Sequence, residues 1–391
     1  MKEKDYFFTT LCLSVIFFAS LIFTSNLLSN KSKHVCAKKE DRSDRIGCWE
    51  RTVETLMQKE SPEKALKLLK EIKKTDLMFS SDCHVYAHLI GEISYWKYRK
   101  DGDFEIDSES KLCDYGFYHG FMQEMGHHDE SFFDKAPKLC DLLTNKLGSS
   151  DLEDTLNQCY HGIGHGVVYS YIDTLSKQEI EITKRGIEYC EKITDQGDRR
   201  LDCVFGIYGG LSSLYFGSHG YLWPMKDEDP FWICPQQPGI YQKGCFVGLI
   251  PAVYSHWEFD LKTAIERIEA IKNIEYAKES FLYSGSVLSH KIVIGSKSPE
   301  EIISLCQKVS RGLNLYCIEG VGGGIYHYSL PETAEDKAIF FCSINLLTEK
   351  EKNYCFKGIK ELPGMETEQT LKNFCQKVDK DNQKYCLNEK Y

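Results

Sequence analysis

Over most of the chain, apolar and polar positions repeat with the period of a helix. The stretches "SPEKALKLLKEIKK" (61–74), "LKTAIERIEAIKN" (261–273) and "SPEEIISLCQKV" (298–309) carry apolar residues three and four apart behind Ser-Pro or charged starts. That pattern predicts amphipathic helices with one face in a core. Strand-like alternation is rare, so the expected fold is all-α. One segment departs from amphipathicity: residues 6–30 contain no charged side chain, long enough to cross a hydrocarbon core of about 30 Å as a helix. Residues 1–30 therefore read as a membrane anchor. The alternative is a signal peptide headed by Lys2 and Lys4, but the apolar stretch is long for one and no small-x-small cleavage site follows it.

A second periodicity lies over the first. Glycine follows cysteine by three residues in "CDYGFYHG", "CYHGIGHG", "CVFGIYGG", "CFVGLIPA", "CIEGVGGG" and "CFKGIKEL", and "LYSGSVLS" fits the same frame with Leu282 in place of the cysteine. From Gly116 through Gly162, Gly206, Gly248, Gly285 and Gly320 to Gly358 the steps are 46, 44, 42, 37, 35 and 38 residues. This period points to an array of about seven helix-pair repeats, an (α/α) toroid or an open solenoid. Each unit is expected to be an outer helix, a short loop stapled by a disulfide, and an inner helix opening with the Cys-x-x-Gly motif. Small residues four apart on one helix face let a neighbouring backbone come close, which gives the glycines a packing role.

The cysteines divide by spacing into Cys36 with Cys48, Cys190 with Cys203, Cys234 with Cys245, Cys306 with Cys317, Cys342 with Cys355 and Cys375 with Cys386, at 11 to 13 residues. Cys140 and Cys159 fit at 19, which leaves Cys83 for Cys113. Where Leu282 replaces the second cysteine of a unit, the first is missing too, as bonded partners require. Disulfides persist in oxidising compartments, and the absence of any CxxC pair argues against thiolate zinc modules. Residues 31–391 are thus placed on the extracytoplasmic side: periplasm, cell surface or lumen. Lys31, Lys33, Lys38 and Lys39 behind the apolar segment point the other way under the positive-inside rule, and the cysteine pattern outweighs them.

Composition narrows the partners. The net charge is -10, and away from the N-terminus there is no long basic cluster. Nucleic acid is therefore not an expected partner. The membrane is expected to be one, through the N-terminal helix. No Ser-nucleophile motif, Walker loop or dinucleotide fingerprint occurs, since "GVGGG" (320–324) belongs to the repeat frame.

The histidines carry the candidate chemistry. Seven of the 12 fall between residues 84 and 165. His119 and His165 hold the same frame position, six after the unit's cysteine, so adjacent inner helices would present them side by side. His161 precedes His165 by one turn on the same face. These three are expected to converge on a transition metal, with His88 as a fourth ligand and Glu92 or Glu124 completing or orienting the set. Neutral imidazoles suit Zn, Cu, Fe or Ni, and three with an open position can activate water or substrate. His127 and His128 read as loop residues, and His219, His256, His290 and His327 as structural.

The openings "CVFGIYGG" and "CYHGIGHG" resemble the inner-helix starts of (α/α) toroids, most nearly the lanthionine synthetase C family. The resemblance implies a toroid with a central zinc held by cysteine and histidine. Here the cysteines are paired, so the likeness extends to fold rather than to cyclisation chemistry. Two other functions fit the composition. One is a non-catalytic scaffold that binds an extracellular peptide, glycan or small molecule on an aromatic concave surface. The other is a toroid acting on glycans through carboxylates such as Glu124, Asp202 and Glu319.

Overall fold

The computed structural model describes residues 35–387 apart from 40, 103–107, 147–151, 216–222, 258–259, 363–364 and 366. The expected anchor, residues 1–30, lies outside these. Among the described residues no helix is long and apolar enough to cross a membrane.

Every described element is helical. The chain opens with α1 (Arg42–Lys59) and α2 (Pro62–Lys73), then α3 (Leu77–Asp101) and α4 (Gly116–His128). Next come α5 (Phe132–Lys146), α6 (Leu152–Ser170), α7 (Glu179–Ile193), α8 (Gly197–Tyr215), α9 (Gly239–Gly248) and α10 (Ile250–His256). The remainder comprises α11 (Leu261–Glu269), α12 (Ile274–Val293), α13 (Pro299–Gln307), α14 (Asn314–Tyr328), α15 (Ala334–Ser343), α16 (Glu349–Lys360), α17 (Glu368–Gln376) and α18 (Lys380–Leu387). The expected starts are present: Ser61 caps α2 with Pro62 behind it, and Ser298 forms a capping box with Glu301 on α13. Each cap satisfies backbone N–H groups that the helix itself cannot.

Outer helices are amphipathic and narrow. α2 buries Ala65, Leu66, Leu69 and Ile72, and α11 buries Leu261, Ala264, Ile265 and Ile268. The inner helices α3, α4, α6, α8, α9 with α10, α12, α14 and α16 pack in that sequence, each on the next. All seven frame glycines fall on inner helices. Their purpose is close approach: a Cβ on Gly206 would stand 1.9 Å from the His161 carbonyl oxygen, and one on Gly320 1.9 Å from that of Leu282.

One detail of the expected unit is corrected. The Cys-x-x-Gly motif opens an inner helix only at α4; elsewhere it lies inside, as Cys159 does in α6 and Cys203 in α8. The reason is packing, because the glycine is needed where two inner helices cross, not where one begins. The bridges Cys140–Cys159, Cys190–Cys203, Cys306–Cys317 and Cys342–Cys355 therefore tie an outer helix to the body of the inner helix that follows it. All eight expected pairs form, with Cα–Cα distances of 5.3 to 5.8 Å. Bridges in this number suit an oxidising, extracytoplasmic compartment.

The array curls until it meets itself. α12 returns to pack on α3, His290 of α12 stands 4.0 Å from Asp82 of α3, and His327 of α14 hydrogen-bonds Asp114, just before α4, at 3.2 Å. Helices α3 to α12 thus close a ring, and the units from α14 onward continue past the seam. The centre of the ring is a chamber of about 1020 Å³.

Candidate metal centre

Two adjacent inner helices supply the chamber's histidine triad. His119 comes from α4, and His161 with His165 from α6, one turn apart. Each is under a tenth exposed, at 6%, 8% and 7%. The rings of His119 and His165 stack at 4.9 Å between centroids, and His161 lies 4.7 Å from His119. One ligand atom from each can be chosen so that all three lie within 4.8 Å of one another. A tetrahedral ion with metal–nitrogen bonds of about 2.0–2.1 Å needs its nitrogens about 3.3 Å apart. Ligation by all three would therefore draw the rings closer by up to about 1.5 Å.

Burial also sets the protonation state. Removal from water pushes His161 down to about 3 and His119 well below the ordinary histidine range, and the neighbouring imidazoles of His161 and His165 add to the effect on His119. Neutral rings have a lone pair to give, which ligation requires. The Nε2 of His119 is buried without a hydrogen-bond partner. A buried polar atom in that condition costs free energy unless something occupies it.

Two features shape the rim. Phe205 of α8 sets its ring edge-on to His161 at 5.0 Å. One turn further, Gly209 faces the triad so closely that a Cβ there would stand 2.8 Å from the Nε2 of His165 and 3.7 Å from that of His161. Asp202, one turn before Phe205, also lines the chamber. Burial first, then the nearby Asp198 and Asp154, push its carboxyl up to about 6.

Three of the four expected ligands therefore come together, and His88 stands to one side. It lines the same chamber, but its Nδ1 hydrogen-bonds Glu92 Oε1 at 2.7 Å, so Glu92 orients His88 and does not join the triad. Burial pushes His88 down to about 4. Glu124 accepts from Trp96 Nε1 at 3.0 Å, and Glu319 pairs with Lys357 at 2.7 Å between α14 and α16. With Asp202 on the chamber wall, these three carboxylates occupy three separate places, and no glycosidase-like pair is formed. His127 and His128 end helix α4 instead of lying in a loop.

Sequence reasoning missed His84, whose Nε2 lies 3.3 Å from His119 Nδ1. Its spacing of four from His88 on α3 was a usable signal. It also missed His290, at the seam, and His327, beyond it, both of which line the chamber. Comparison of the chain with known protein families, with curated proteins and with solved structures gives no match.

Proposed function

We propose that the protein is an exported, membrane-anchored metalloprotein in which His119, His161 and His165 hold one transition ion on the chamber wall. The observation that carries this reading is the convergence of three buried imidazoles, one with a nitrogen left unpartnered. Zinc fits first, because three neutral nitrogens and no thiolate make the set from which an open fourth position faces substrate. Copper, iron and nickel share the preference for imidazole. Such an ion supplies Lewis-acid activation of water or of a carbonyl or phosphoryl oxygen. Asp202, poised near neutrality on the same wall, is the candidate proton acceptor for a hydrolytic reaction.

Elemental analysis tests this directly on protein purified without chelators or metal columns. The expected result is one equivalent of a transition metal per chain, lost in His165→Ala while the helical circular dichroism persists. Absence of metal from the unaltered protein, or full occupancy in His165→Ala, overturns it. The scaffold reading then takes its place. It is supported by the chamber's rings of Phe205, Tyr254, Tyr283 and Tyr328, which suit a peptide or glycan held without chemistry.

A further inference from the structure

We infer that His84 is a positioning residue that fixes the tautomer of His119, and that the Cys83–Cys113 disulfide governs metal affinity through it. The inference rests on the metal-site reading for its consequence, but not for its geometry. A carbonyl oxygen only accepts, so the 3.0 Å contact between His84 Nδ1 and the Cys113 carbonyl places the proton of His84 on Nδ1. The Nε2 of His84 is then a lone pair. It faces His119 Nδ1 at 3.3 Å, so His119 must donate from Nδ1. What remains on His119 is a bare Nε2, the same atom that is buried without a partner and available to an ion. The hydrogen bond made by one ring nitrogen sets what the other can ligate.

The origin of this chain is the Cys113 carbonyl, and its position is not that of regular backbone. Cys113, Asp114 and Tyr115 have φ of 58°, 55° and 59°, three consecutive non-glycine residues in the left-handed region. Such a run persists only where its surroundings enforce it. The bridge to Cys83, with Cα atoms 5.3 Å apart, pins the run to α3 one residue before His84. This disulfide also differs from Cys140–Cys159, Cys190–Cys203, Cys306–Cys317 and Cys342–Cys355, because it joins inner helix α3 to the left-handed turn that leads into α4, instead of an outer helix to the inner helix that follows.

The test has two arms. Long-range 1H–15N NMR of the metal-free chain should show His119 protonated on Nδ1 and bare on Nε2; a proton found on Nε2 overturns the inference whatever the metal does. In the second arm, zinc affinity is measured by chelator competition. His84→Ala should lose about 10–100-fold, whereas His84→Gln, whose amide oxygen accepts from His119 Nδ1, should stay within about threefold of the parent. Cys83→Ser with Cys113→Ser should lose affinity similarly, and should lose no more when His84→Ala is added, because the two act in series. Full additivity overturns the link between disulfide and ligand. Should those serines prevent folding, the alanine–glutamine comparison still decides the role of His84. A chain with the stated tautomer that binds no metal sinks the metal-site reading and leaves the His84 relay standing.

Discussion

Gly209 and Gly206 lie on the same helix, three residues apart, and an added methyl group separates their roles. At Gly209 an alanine Cβ meets no backbone first; its nearest contacts are Nε2 and Cε1 of His165 at 2.8 and 3.2 Å. The imidazole must turn aside, at a cost of about 0.5–1.5 kcal/mol for an off-rotamer side chain. Replacing glycine by alanine inside a helix returns about 1 kcal/mol. The metal-free stability of Gly209→Ala should therefore differ little from that of the parent. Metal binding should not survive, because a ligand ring has been displaced. At a free ion concentration about 1,000 times Kd, binding stabilises the native state by about 4 kcal/mol, roughly 8 °C in Tm at about 2 °C per kcal/mol. The assay is thermal denaturation of both proteins, with chelator and with added zinc. The parent should gain that increment and Gly209→Ala should not. An equal gain in both refutes the placement of the ion against α8. A metal-free variant destabilised by several kcal/mol would instead make Gly209 a packing residue like its neighbours.

Gly206→Ala is the contrasting case: its Cβ would meet the His161 carbonyl oxygen at 1.9 Å, so α6 and α8 must separate, and urea denaturation should show a loss of at least about 2 kcal/mol with or without metal. Acidification should destabilise the metal-free chain. His161 titrates near 3 when folded and near 6.5 when unfolded, so between those values the unfolded state binds the proton that the native state refuses. This contribution is complete above pH 6.5 and falls as pH drops, by about 2 kcal/mol between pH 6.5 and 5 from this residue alone; chemical denaturation across that range checks it, and a flat profile counts against a buried neutral His161. Non-reducing peptide mapping should return the eight pairs seen here, each contributing about 2–4 kcal/mol, and free thiols in protein from its native compartment would contradict both the pairing and export. Lys357→Met should cost about 3–5 kcal/mol by leaving Glu319 buried without its counter-charge, and Glu319→Gln added to it should recover much of that loss in a double-mutant cycle.

What could be read from the sequence was whatever the repeat itself encodes. The frame placed His119 and His165 at equivalent positions and His161 one turn away, and they converge because equivalent positions on adjacent inner helices face the same centre. The paired loss of cysteines around Leu282 told the disulfide map for the same reason. What escaped depends on departures from the repeat. The role of His84 comes from the left-handed run at Cys113–Tyr115, which no periodicity announces. His290 and His327 reach the chamber because the array has turned through a full circle, and that depends on the small rotation between successive units, summed over the ring. His127 and His128 looked like a turn behind Gly126, yet the helix continues through that glycine because Gly166 packs against it, with an added Cβ only 2.1 Å from its carbonyl oxygen.

The closure of α12 on α3 also has a meaning in time. The three histidines lie within 47 residues of one another in the chain, whereas the far side of the chamber is built from residues up to Tyr328. In a chain that emerges from its N-terminus onward, the triad's residues would be in place before those of the opposite wall. The opposite wall arrives only after more than a hundred further residues have followed. On the metal-site reading, an ion would reach these nitrogens more easily in that interval, in the oxidising compartment where the bridges that hold the arc together form. Loading and oxidation would then be events of the same compartment and the same interval.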